Sequence, residues 1–217
     1  MVDELDLFQH YKPDNSQIMG LQGILAGVLG VKDDGIFVEV GANNGLAYSN
    51  TYHLTKIGWQ GVYIEPIPYL YQRLLMLHNG NPKIKVVNAF MSSEAGEVDM
   101  YEYNESYSGN PAWLEKFGGK FVTRASKKTL DSVLDVLDMD PEFDLLVIDA
   151  EAHDYEVLKG SRIDYWHPKM VIIEACEYHA DEMLRAHAIS INDYMHDNWY
   201  EKIYADTINS IFVLGLP

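Results

Sequence analysis

Five short runs of apolar residues limit what this chain can fold into more than any other feature. They are Gly35-Ile-Phe-Val-Glu-Val40, Gly61-Val-Tyr-Ile-Glu65, Ile84-Lys-Val-Val-Asn88, Asp144-Leu-Leu-Val-Ile-Asp149 and Met170-Val-Ile-Ile-Glu174. A strand with one wet face alternates apolar and polar side chains, and these runs barely alternate. They read as strands buried on both faces, which predicts a parallel sheet with helices on either side. The stretches between them suit helices. Residues 46–57 stop at Gly58, residues 69–78 follow Pro66 and Pro68, Thr129 is placed to cap residues 130–137, and residues 154–159 close at Gly160. Ahead of the first run, residues 16–30 read as a helix. It has Ile18, Leu21, Leu25 and Val28 on one stripe and Gly20, Gly23, Gly27 and Gly30 on another.

Two last runs, at 200–205 and 210–214, are separated only by Asp206-Thr-Ile-Asn209. No crossover helix fits there, so they are expected to pair as an antiparallel hairpin at the C-terminal end of the sheet. The chain is expected to be one unit over residues 1–217. Residues 1–34 would form a helical cover, and residues 91–128 an insert between the third and fourth parallel strands. Within that insert 98–103 and 121–124 are strand-like, and the segment between them carries Tyr107, Trp113 and Phe117. A loop this long is usually functional or disordered, and its aromatic residues argue against disorder. It reads as a lid or substrate wall.

The bulk numbers exclude some classes. The formal net charge is −17, which disfavours a phosphate backbone, so no nucleic-acid partner is expected. One cysteine, Cys176, excludes an internal disulfide framework and fits a reducing, cytoplasmic setting. The first residues are acidic without an apolar core, and no stretch approaches 18 apolar residues; neither a leader nor a membrane span is expected.

In open parallel sheets ligands sit beyond the carboxyl ends of the strands. Glu39, Glu65, Asp149 and Glu174 all fall at or near that edge. The first turn, Glu39-Val-Gly41-Ala42-Asn43-Asn44-Gly45, is the most informative. Its glycines allow a tight turn and close backbone approach, and a helix starting near Gly45 would aim free N–H groups at a ligand. A dinucleotide motif would have a glycine where Asn43 stands. An acid before the turn suits a ligand bearing an ammonium and a sulfonium, which points to S-adenosylmethionine. Glu65, with Pro66 behind it, is placed to accept ribose hydroxyls, a clue shared with nicotinamide cofactors. Ala89 and Phe90, after the third strand, are placed to meet an adenine; Phe90 could equally be core.

These residues resemble a family. The segments FVEVGANNGLAYSN, GVYIEPIPYLYQRL, KTLDSVL, DLLVIDAEAHDYEVLKG and VIIEA follow the order and spacing of the FkbM-like methyltransferases over roughly residues 35–175. The resemblance implies an α/β, Rossmann-like class I methyltransferase fold with a mostly parallel, doubly wound sheet. It also implies S-adenosylmethionine as cofactor and a hydroxyl oxygen as the usual acceptor. Glu39, Gly41 and Gly45 match its cofactor turn, Glu65 its ribose acid, and Asp149 and Glu151 the two acids of its fourth-strand motif. The chain departs from the family at Ala152, where the family has glycine, and at His153-Asp154.

That departure puts an imidazole at the expected crevice edge. His153 is a candidate general base for a hydroxyl acceptor, with Asp149 beside it, although the surrounding acids should favour its protonated form. A divalent ion on Asp149, His153, Asp154, Glu174, Glu177 and His179 is the lesser option. Residues 181–187 read as an exposed helix, and His179, His187 and His196, and likewise Arg73 and Lys56, as solvated surface. The acceptor reads as a small molecule or glycan; the aromatic insert would suit a sugar face or a second copy of the chain. A nicotinamide-dependent oxidoreductase and a non-catalytic module on the same fold are the competing readings.

Overall fold

The computed structural model describes residues 16–215. The first half contains α1 (Leu21–Leu29), β1 (Ile36–Val40), α2 (Tyr52–Lys56), β2 (Gln60–Ile64), α3 (Pro68–Leu77), β3 (Ile84–Val87) and β4 (Phe90–Met91). Then come β5 (Gly96–Tyr103), β6 (Ser106–Ser108), α4 (Pro111–Phe117), β7 (Lys120–Lys128), α5 (Leu130–Val136) and β8 (Leu145–Ile148). The chain continues through α6 (Asp154–Lys159), α7 (Ile163–Trp166), β9 (Met170–Glu174), α8 (Glu182–Asp197), β10 (Tyr200–Ala205) and β11 (Asn209–Leu214).

The main sheet has seven strands in the order β10-β11-β9-β8-β1-β2-β3. The five apolar runs pair in parallel, and β11 lies antiparallel to both β9 and β10. The expected hairpin is present, with its second strand wedged between the first and the parallel set. The near-continuous apolar runs have a direct cause. Val38, Val62, Leu146, Val171 and Phe212 point to one side of the sheet, into a core shared with Leu130, Val157 and Ile191. Their neighbours Phe37, Tyr63, Val147, Ile172 and Ile211 point to the other side, against Leu21, Leu25, Leu54 and Leu74. Both faces are dry, so neither can tolerate the polar half of an alternating pattern.

Register aligns the strand ends. Val40 stands beside both Ile64 and Ile148, and Ile148 beside Ile173. Glu65, Asp149 and Glu174 each follow or end at those positions, and Glu39 lies one residue short. The four acids therefore come to one edge.

The insert builds its own sheet, in the order β4-β7-β5-β6. Its strands β5 and β7 are largely exposed or half-exposed. A small core of Ile67, Leu70, Phe90, Met100 and Ala125 joins it to the rest. Tyr103, Trp113 and Phe117 pack their rings together at 5.6–6.2 Å. The segment read as a loop is thus a strand, β6, and a helix, α4.

Three helices differ from expectation. Residues 46–51 are not helical, and α2 starts only at Tyr52. Asn44 Oδ1 accepts from the N–H groups of Leu46 and Ala47, and Ser49 Oγ from those of Thr51 and Tyr52. These short polar side chains compete with helical hydrogen bonding, and Tyr48 adopts φ +59°. The helix read as exposed over 181–187 runs instead from Glu182 to Asp197, capped by Asp181. One face of it, Ala188, Ile191 and Met195, is buried. The first helix is shorter than read, and the part of the proposed N-terminal cover before residue 16 lies outside the described residues. Among the described residues no helix is long and apolar enough to cross a membrane.

Candidate active site

A cavity of about 600 Å³ opens at the carboxyl edge of the parallel strands. Its wall comes from the turn after β1, the end of β2 with α3, the loop after β8, and β4 to β6 of the insert. Glu39, Glu65, Glu102, Glu105, Asp149 and Glu151 all line it. Arg73, expected as plain surface, is exposed but also stands on this wall, and it is the one cationic side chain among the described lining residues. Such a balance favours a cationic ligand.

The β1 turn is held by its backbone. Gly41 and Ala42 donate their N–H groups to Ile64 O, at 3.0 and 3.2 Å. Gly41 has φ +78°, and a Cβ there would meet Asp149 O at 1.7 Å. Only glycine fits, because the loops after β1 and β8 touch through their backbones. Gly45, φ +72°, lies instead against the side chains of Leu74 and Leu77. The helix expected to begin near Gly45 is absent, so helix-terminal N–H groups are not what faces the cavity at this point. Asn43, Asn44 and the segment 47–50 form that wall instead.

The acids are set individually. Glu65 is buried, and its two oxygens accept from Asn43 N and Ile67 N at 2.8 Å each. Burial nevertheless raises its pKa to about 7, against those two bonds. Asn88 Nδ2 bonds the carbonyls of Glu65 and Pro66 and so fixes this corner. Glu39 accepts from the Thr51 hydroxyl, which also lies 3.0 Å from the Tyr63 hydroxyl. Burial pushes Glu39 up to about 7 as well. Asp149 is raised well above the usual carboxylate range by burial and then by Glu151 and Asp154. Glu174 lies against it, and that carboxyl is raised in turn by burial and by Asp149. Glu174 stands behind Asp149 and is not part of the cavity wall.

Ala89 and Phe90 line the cavity while remaining buried. Phe90 is both wall and core. His153 is placed differently. Its ring packs against Phe90 at 4.8 Å, its Nε2 lies 3.1 Å from Ser92 Oγ, and it does not reach the cavity wall. The acids near it were expected to favour its charged form; burial outweighs them and lowers its pKa. Its neighbour Asp154 is fully buried, with Oδ1 accepting from Ala150 N at 2.8 Å and Oδ2 3.4 Å from His187 Nε2. His187, read as solvated, is therefore half-buried against an acid of the β8 loop.

Among the described residues no group of three His, Cys, Asp or Glu side chains is arranged to hold a metal ion. Two of the six residues considered are engaged elsewhere: Glu177 with Lys202 Nζ, and His179 Nδ1 with Asp181 N.

Tyr107, read from the sequence as part of a lid or substrate wall, stands on the cavity wall and meets Tyr69 through their hydroxyls at 2.5 Å. Sequence reasoning missed the polar residues beside it. Ser106, Ser108 and Asn110 contact the β8 loop. No local spacing could have revealed those contacts, since the partners lie some forty residues away.

A family model described as a methyltransferase FkbM domain matches residues 39–203. Among solved structures, a proposed caffeoyl-CoA O-methyltransferase from Staphylococcus aureus superposes with a TM-score of 0.54 at 12% identity, covering 98% of this chain and 97% of that one. The fibrillarin pre-rRNA processing protein of Methanococcus jannaschii gives 0.51 at 13%, covering 95% and 78%. At such identities the likeness is one of fold, that of the class I methyltransferases. No curated protein matches the sequence significantly.

Proposed function

We propose that this chain, which belongs to the FkbM methyltransferase family, moves a methyl group from S-adenosylmethionine to a hydroxyl oxygen on a small molecule or sugar. The observation that carries this reading is the acid-lined cavity at the strand ends, with Gly41 pressed onto the Asp149 carbonyl. The residues present fit the cofactor. Each Glu65 oxygen holds one backbone N–H and keeps a lone pair for a ribose hydroxyl. Glu39 would offer a buried carboxylate to a cationic group, beside the Asn43–Asn44 turn, and Pro66, Ala89 and Phe90 would give an apolar slot for a purine. When bound, the cofactor supplies a methyl group on a positively charged sulfur.

The rest falls to the chain. The wall must orient the acceptor and take its proton. Asp149 and Glu151 reach the cavity and His153 does not, so proton acceptance is assigned to Asp149, which stands at the end of β8 where the loop meets the β1 turn. Tyr69, Tyr107 and Asn104 of the insert side form the acceptor wall. The acidic rim argues for a neutral or cationic acceptor and against a polyphosphate chain.

The test is a screen of hydroxyl-bearing metabolites and glycans for methyl transfer, with and without chelator. Asp149→Asn should lower turnover at least about a hundredfold, and His153→Ala by less than tenfold. Equal loss in both variants, with cofactor binding intact, would contradict the assignment. Transfer to RNA alone would contradict the acceptor class.

A further inference from the structure

The loop after β8 is bent in an unusual way. Glu151 has φ +51° and Ala152 φ +65°, two consecutive left-handed residues, neither of them glycine. Residues with a Cβ resist that conformation, and among the described residues the only other consecutive non-glycine pair to adopt it is Asn104–Glu105, at the turn between β5 and β6. At Glu151 and Ala152 the holding groups come from the insert, at alternate positions along one short segment. Ser106 stands with Glu151 on the cavity wall, and its hydroxyl favours the charged form of that carboxyl. Ser108 Oγ donates to Glu151 O at 3.0 Å. Asn110 Nδ2 donates to Ala152 O at 2.5 Å, while its Oδ1 accepts from Ala112 N and so caps α4.

The place matters. Two residues earlier, the Asp149 carbonyl backs Gly41 of the β1 turn. Within three residues the β8 loop therefore touches both halves of the cavity, and Glu151 stands at their seam.

We propose that Ser106, Ser108 and Asn110 are positioning residues that hold Glu151 with its carboxylate at this seam, facing the charged sulfur of the cofactor. The inference rests on the reading of the cavity as an S-adenosylmethionine site. The insert then does more than wall off an acceptor: it sets the electrostatics of the cofactor half. A carboxylate so placed favours the sulfonium over the neutral thioether of the product, and thereby helps exchange spent cofactor for fresh.

Equilibrium binding tests this without an acceptor. The measurement is the ratio of affinities for S-adenosylmethionine and S-adenosylhomocysteine, by calorimetry on the full chain. Glu151→Gln should lower the ratio at least about fivefold while leaving homocysteine-nucleoside affinity within twofold. Ser106→Ala should move the ratio in the same direction, and Ser106→Thr, which keeps the hydroxyl, should leave it unchanged. A merely structural role would weaken both ligands together and lower thermal stability. An unchanged ratio in Glu151→Gln, or equal weakening of both ligands in Ser106→Ala, overturns the proposal. Failure of the unaltered protein to bind either nucleoside would instead overturn the cofactor site itself.

Discussion

The two sheets of this molecule are built on different principles. In the seven-stranded sheet every interior strand is dry on both faces, and backbone meets backbone where the loops after β1 and β8 close on each other. In the four-stranded sheet the strands are half wet, the core is a handful of side chains, and the contacts that matter are hydroxyls and an amide reaching across to carbonyls. The first kind of contact tolerates no change in side chain. The second can be lost one hydrogen bond at a time. On the proposed reading the cofactor would sit on the first sheet and the acceptor against the second, as expected of a fold that keeps one cofactor and varies its substrates.

The strongest way to break this contrast is Gly41→Ala. The added methyl would run into Asp149 O in a backbone region that alanine resists, and we expect a loss of about 3 kcal/mol together with cofactor binding. Urea unfolding measures it. A normal unfolding midpoint would show that the two loops are not in the contact described.

Trp113→Ala is the matching change in the insert. Trp113 is 5% exposed, and its removal should cost about 3 kcal/mol, confined to the smaller sheet. Hydrogen exchange should therefore accelerate across residues 96–128 and stay unchanged in β1 and β8. Uniform acceleration would mean that the two sheets form one cooperative unit.

A subtler effect sharpens the electrostatic side. Glu39 and Glu65 both titrate near 7 because burial disfavours their charged forms. A cationic ligand favours the carboxylates, so binding should release protons, and affinity should rise about tenfold per coupled group between pH 6 and 8. The sign for stability runs the other way. Their folded-state pKa values lie above the unfolded ones, so their contribution is complete below about pH 4.5 and is lost as pH rises through 7. Glu39→Gln should remove part of both effects. Affinity that falls with rising pH would contradict the assignment.

The same contrast explains what could be read from the chain. The parallel strands were legible because burial on two faces leaves continuous apolar runs. The terminal hairpin was legible because four residues cannot hold a crossover. Glu65 and the β1 turn were legible because strand ends set the place of a ligand before any side chain is known. The turn's continuation was not, since Asn44 and Ser49 satisfy backbone N–H groups that the apolar pattern assigned to a helix. The buried face of α8 was written at positions 188, 191 and 195, a helical spacing hidden behind the charges that precede it. Ser106, Ser108 and Asn110 carry no signal of their own; they acquire a role only from the fold that brings the β8 loop to them. The placement of His153 turns on Phe90, which occupies the wall in front of it.

The most direct test is calorimetric titration of the folded protein with S-adenosylmethionine and, separately, with NAD. The account requires saturable binding of the first at one site per chain, with protons released to the buffer, and no comparable heat from the second. No heat with S-adenosylmethionine from a demonstrably folded sample, or tighter binding of NAD, would contradict it.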